Sequence, residues 1–137
     1  GRLIMGSLTF TEAFAKYGAK LKNVQWAVSS IGKDGSIVMS CWSHYMKKHG
    51  DGLRYQDRLS RWSGNAAGNN LLREHIQKAV DENLSVKAVI ASTKEIEKVD
   101  YGHDASGVEK NFHVRVDWVG EIVSFDGDEV IIDFRSS

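Results

Sequence analysis

The sequence has a single cysteine, no proline, no net charge and no long apolar run. Each shortage bounds the protein in a different way. A lone Cys41 excludes an intramolecular disulfide framework and suits a reducing compartment, so a cytoplasmic location is expected. No apolar stretch approaches the ~20 residues that a helix needs to cross a bilayer, and no membrane partner is expected. The opening GRLIMGS is too short for a signal peptide and lacks its layout. Residues 1–7 are therefore expected to be foreign to the domain or unstructured, and residues 8–137 to form one domain. The absence of proline excludes nothing by itself. Nucleotide and nucleophile signatures are missing as well: there is no P-loop, no G-x-G-x-x-G and no G-x-S-x-G elbow.

What is present fits a packed fold. The chain has 137 residues, 42% of them hydrophobic, which is enough for a core, and its 26% of charged residues is too ordinary for a disordered chain. The zero net charge conceals an asymmetry. Residues 1–75 hold eleven Lys/Arg and five Asp/Glu, a net +6, and residues 76–137 hold seven and thirteen, a net −6. A basic half can mark a nucleic-acid partner, because it neutralises phosphates. The alternatives are that the halves interleave and cancel within one fold, or that they meet between the subunits of a homo-oligomer.

Local patterns predict the elements. Thr9 followed by Glu12 is a capping box, and Phe10, Ala13, Phe14 and Tyr17 form one apolar helical stripe that ends at Gly18. Val24, Trp26 and Val28, a Gly-Lys-Asp-Gly turn, then Ile37, Met39 and Cys41 predict a β-hairpin. The segment from Arg54 to Trp62 reads as helix or strand. Either geometry separates an apolar side (Tyr55, Leu59) from an arginine side. Asn70 is the expected N-cap of a second helix burying Leu72, Ile76, Ala79 and Val80. VKAVIAS predicts a central strand buried on both faces, and residues 94–110 an exposed connection. Phe112, Val114, Val116 and Trp118 alternate with His113, Arg115 and Asp117. A last hairpin pivots on Asp126-Gly127, with Val123 opposite Val130 and Ile122 opposite Ile131. The expected fold class is α+β, with a mainly antiparallel curved sheet or half-barrel of about five to six strands and two helices packed on it.

Chemistry is sparse. Cys41 and His44 would point to opposite faces of a strand, so Cys41 reads as a core residue and no catalytic residue is assigned. His44, His49 and Asp51, and separately Asp100, His103 and Asp104 with Glu95 or Glu97 and Lys98, combine metal-ligating types without a familiar spacing. No cofactor or metal is assigned. A small metal-dependent hydrolase or nuclease on the Asp100/His103/Asp104 loop is the third-ranked reading.

Nucleic acid ranks first. Lys47, Lys48, Arg54, Arg58, Arg61 and Arg73 would contact phosphates, Trp62 would stack on a base, and Asn70 would open a helix whose N–H groups accept anions. The plainer reading buries Tyr55, Leu59 and Trp62 and leaves the arginines solvated or ion-paired, with Asp57 against Arg61. A protein-interaction or homo-oligomeric module ranks second.

Overall fold

The computed structural model describes residues 8–62, 64–102 and 108–136. Within these, the chain forms helices α1 (Phe10–Ala15), α2 (Ala66–Glu82) and α3 (Ile96–Asp100). The strands are β1 (Ser29–Ile31), β2 (Ile37–Trp42), β3 (Met46–His49), β4 (Gly52–Arg58), β5 (Val86–Ser92), β6 (Asn111–Val114), β7 (Trp118–Phe125) and β8 (Glu129–Ser136). The fold is α+β, as the sequence predicts. The sheet is larger than expected and mixed, with order β1-β2-β5-β7-β8-β4-β3 and β6 also on β5. Only β2 and β5 run parallel, and the sheet does not close.

The first helix is short and well capped. Thr9 Oγ1 accepts from Glu12 N, and Glu12 Oε1 accepts from Thr9 N, so each side chain satisfies a backbone donor that the helix leaves unpaired. Ala13, Phe14 and Tyr17 are buried, and Gly18 supplies the left-handed turn at φ 67°. The expected hairpin is present as β1–β2 and reaches Val28, whose carbonyl accepts from Ser40 N, but residues 24–27 do not extend it. Asn23 Oδ1 accepts from Gln25 N and Trp26 N and folds that segment into a turn.

β5 is the hub. It pairs β2 on one edge and both β6 and β7 on the other, and its side chains enter two cores. Val86, Ala88 and Ile90 join Met39, Cys41, Tyr55, Leu72, Ile76 and Phe134 under α2. Val89 joins Phe14, Tyr17 and Val38 under α1. A continuous apolar run in sequence is what burial on both faces requires.

Several sequence expectations change. The stretch 94–110, expected as an exposed connection, contains a third helix, α3, and buries Val99 and Val108, while Val80 of α2 is exposed rather than buried. β6 and β7 are parts of one long strand beside β5. From Val89↔Val114 to Val86↔Gly120, β5 advances three residues and its partner six, so residues 115–117 bulge out and Val116 is exposed. In the last hairpin Asp126 pairs with Glu129, which makes Gly127-Asp128 the loop, and Ile122 faces Ile132 across a bulge at Val123. The cause is local. Asp126 Oδ1 accepts from Asp128 N and Glu129 N, and Gly127 takes φ 97° as the first loop residue. Finally, α2 starts at Ala66 with Asn65 as its N-cap, leaving Asn70 exposed inside the helix.

Two measurements probe this packing. A Cβ built on Gly52 would lie 2.0 Å from Phe134 O of the neighbouring strand, so Gly52→Ala must push β4 from β8. Urea denaturation should show a loss of about 1–3 kcal/mol; an unchanged midpoint would mean the strands separate freely. His75 on α2 has Nδ1 2.7 Å from Ser29 Oγ on β1, and burial holds its pKa below the usual 6.5. The unfolded chain therefore takes this proton more readily, and stability falls as pH drops below about 6.5. His75→Gln should shrink that decline in pH-dependent unfolding curves. His113, also depressed by burial and by Arg115, has the same sign and should leave a remainder.

Candidate functional site

Near the ends of the parallel pair, beside Trp42 of β2 and Ala91 of β5, lies a cavity of about 350 Å3. That volume falls in the range of small-ligand pockets, about 300–1,000 Å3. Its walls are mostly apolar, with the aromatic side chains of Phe10, Trp26, Trp42, Tyr55, Trp62 and Phe112 beside aliphatic residues such as Val28, Leu72 and Val99. Gln25, Ser40, Asp57, Arg61, Asn65 and Lys110 add a few polar groups. The lining comes from both cores, from the turn at 24–28 and from the segment joining β4 to α2.

The polar wall is built around Asp57. The alternation of β4 turns Tyr55 and Asp57 inward and Gln56 and Arg58 outward. A short 3-10 turn, Leu59–Arg61, then brings Arg61 back over the strand end. Arg61 Nε and Nη2 donate to the two oxygens of Asp57, both at 2.9 Å. Tyr55 Oη and Arg58 N donate to the same carboxylate, at 3.1 and 2.8 Å. Arg61 Nη1 donates to Val99 O of α3 at 2.7 Å, and the guanidinium carbon sits 5.0 Å from the centre of the Tyr45 ring. The side chains are 14% and 6% exposed, so this pair is out of water and geometrically complete. Burial works against the charge of Arg61, but the hydrogen bonds and attraction of Asp57 outweigh it and raise its pKa.

Asparagines hold the surrounding chain. Asn69 Nδ2 donates to Leu59 O and Trp62 O, pinning the 3-10 turn to α2. Asn65 accepts from Gly68 N and donates to Trp26 O, tying the start of α2 to the 24–28 turn. A Cβ on Gly68 would meet Trp26 O at 2.4 Å, so glycine permits this approach. Behind Arg61, Tyr45 Oη and His44 Nε2 both bond Asp100 Oδ1. These bonds, Tyr45's first, hold the Asp100 carboxyl below the usual range, while burial raises the Tyr45 phenol. Burial also pushes the Cys41 thiol well up, which keeps it protonated and unreactive.

Of the eight residues singled out by sequence, only Arg61 and Trp62 meet at this cavity. Arg54 pairs with Asp133 at 2.7 Å, Arg58 lies 3.6 Å from both Asp128 and Glu129, and Arg73 bonds Asn69 and Gly127 O beside Asp128. The C-terminal half thus supplies the carboxylates for most of these arginines. Lys47 and Lys48 are exposed on β3, an edge strand. His44 and His49 flank opposite ends of β3. His103 and Asp104 lie outside the described residues, among which no group of three His, Cys, Asp or Glu is placed to hold a metal ion. Nor does any described helix have the length and apolarity to cross a membrane. Trp26 had no local signal for this site, since period-2 patterning placed it simply on a strand.

Removing one member of a buried pair strands the other. Asp57→Ala should cost about 3–5 kcal/mol in urea unfolding, while Asp57→Leu with Arg61→Met should recover most of that loss. Equal losses in both variants would mean that the ion pair carries no special cost. The chain matches no protein-family model, and neither curated proteins nor solved structures provide a match.

Proposed function

We propose that the protein is a binding module that takes one planar ring, the base of a nucleic-acid strand, into the tryptophan-lined cavity. The observation that carries this reading is the gathering of three of the four tryptophans, Trp26, Trp42 and Trp62, around one cavity with a charged wall. Indole faces stack on any base, with about 1–3 kcal/mol per base where measured. Asp57 and Val99 hold Arg61 by three of its five N–H groups, so the guanidinium is oriented before a ligand arrives. The remaining two N–H groups would donate to acceptors on the base edge. No bond is made or broken.

This reading shifts the weight of the site. Trp62 keeps the stacking role expected from sequence and Arg61 moves from a phosphate to the base edge, whereas Arg54, Arg58 and Arg73 already have partners within the chain. A homo-oligomer joined through the opposite charges of the two halves loses its motive for the same reason. Hydrolysis at Asp100 has little support, because that carboxylate is engaged by Tyr45 and His44.

A single strand offers its bases directly, while a duplex must first release one at a cost of a few kcal/mol. Single-stranded oligonucleotides should therefore bind more tightly than duplexes and quench the tryptophan fluorescence. Trp42→Ala or Trp62→Ala should weaken binding about 5- to 150-fold. An absence of binding and quenching by DNA and RNA oligonucleotides at low salt would overturn the proposal.

A further inference from the structure

The segment from Ala13 to Lys33 contains four lysines and no Asp or Glu. Lys16, Lys20, Lys22 and Lys33 are all exposed, and none forms an ion pair among the described residues. The fold sets Lys33 against the end of α1, Lys20 beside β1 and Lys22 within electrostatic reach of His75 on α2. Lys33 N donates to Tyr17 O, and the Lys33 stem covers Gly18, where an added Cβ would come within 2.7 Å of it. Ser30 Oγ donates to Lys20 O at 2.6 Å. Lys22 is close enough to act on His75, as are Glu74 with the opposite sign and Lys78. The nearest carboxylates in sequence are already engaged: Glu12 closes the capping box and Asp34 accepts from Ser36 N.

This basic surface runs into the cavity. Lys22 is two residues from Val24, so the chain between them spans at most about 7 Å. Val24, Gln25 and Trp26 line the cavity. Folding thus reverses the expectation from sequence, under which the arginines of 54–73 would contact phosphates. Those arginines form ion pairs with carboxylates, and the lysines of 16–33 form none among the described residues, although Lys16 acts electrostatically on Glu12.

Resting on the base-binding reading above, we propose that Lys16, Lys20, Lys22 and Lys33 form the phosphate-contacting track of a single-stranded nucleic acid whose base enters the cavity. Lysine suits this task. Its ammonium is a point charge on a flexible stem, which can follow an irregular backbone without demanding a fixed fork geometry. Each phosphate neutralised releases condensed counterions, so the track should set the salt dependence of binding, while the aromatic cavity sets a salt-independent part.

The test compares the intact chain with Lys16→Gln/Lys20→Gln/Lys22→Gln/Lys33→Gln and with Lys47→Gln/Lys48→Gln. Glutamine keeps much of each stem, and circular dichroism checks that the exposed substitutions leave the fold unchanged. Anisotropy titrations with a fluorescent single-stranded oligonucleotide at several salt concentrations give the slope of log K against log salt. The fourfold variant should flatten that slope by about 3, and the β3 variant should leave it unchanged. A slope carried by Lys47 and Lys48, or one unaltered by the fourfold variant, overturns the track while leaving base binding intact. Lysine-dependent binding to phosphatidylserine vesicles, with no lysine dependence toward the oligonucleotide, would assign the surface to a membrane instead. No oligonucleotide binding by the intact chain would remove the base-binding reading and the track together.

Discussion

Arg61 and Asp57 are placed where either charge alone would be costly to bury. Each is nearly removed from water, and each supplies the other's compensation through two parallel hydrogen bonds. The pair also collects its surroundings. Tyr55 and the backbone of Arg58 add donors to the carboxylate, while Val99 O accepts one further N–H of the guanidinium and Tyr45 lies against it. The end of β4, the 3-10 turn and α3 are therefore set relative to one another by a single charge pair. Such a pair is weak evidence of stability, because apolar residues of similar size could serve as well. Its effect is on position. It gives an otherwise apolar cavity one polar wall with little freedom to move.

A second electrostatic arrangement acts on the outer face of β4. There Arg54 faces Asp133, and Arg58 faces Glu129 and Asp128, across the strand pairing with β8. Opposite charges directly across a sheet are favourable, though modestly so at exposed positions. Their larger consequence is for the surface potential. Basic residues of the first half meet acidic residues of the second along this seam, while Lys16, Lys20, Lys22, Lys33, Lys47 and Lys48 form no ion pair among the described residues.

Patterns carried by neighbouring residues were legible in the sequence. The capping box at Thr9 and Glu12, the Leu72, Ile76 and Ala79 face of α2 and the doubly buried β5 all follow from short-range rules, and the structure contains each of them, although Val80, expected on that face, is exposed. Where the reading slipped, a side chain had bonded to the backbone in place of the expected partner. Asp126 captures two N–H groups and moves the hairpin loop by one residue, and Asn65 starts α2 before Asn70. The division of Arg54–Trp62 into two sides survived because strand alternation preserved it. The cavity was not legible. Trp26, Trp42 and Trp62 come from three separate segments, and no local periodicity records that the fold would bring them to one place.

The parallel pairing of β2 with β5 has a bearing on how the chain reaches this state. β3, β4 and all of α2 intervene in sequence between those two neighbours, and β8, the last strand, inserts between β7 and β4. Loop-closure entropy must be met before such contacts are rewarded, which favours assembly over milliseconds to seconds rather than microseconds. During that interval β2 and β4 present unpaired edges on which a second copy could form the same hydrogen bonds. Protein concentration during refolding, more than the stability of the finished fold, would then govern how much of the chain arrives there.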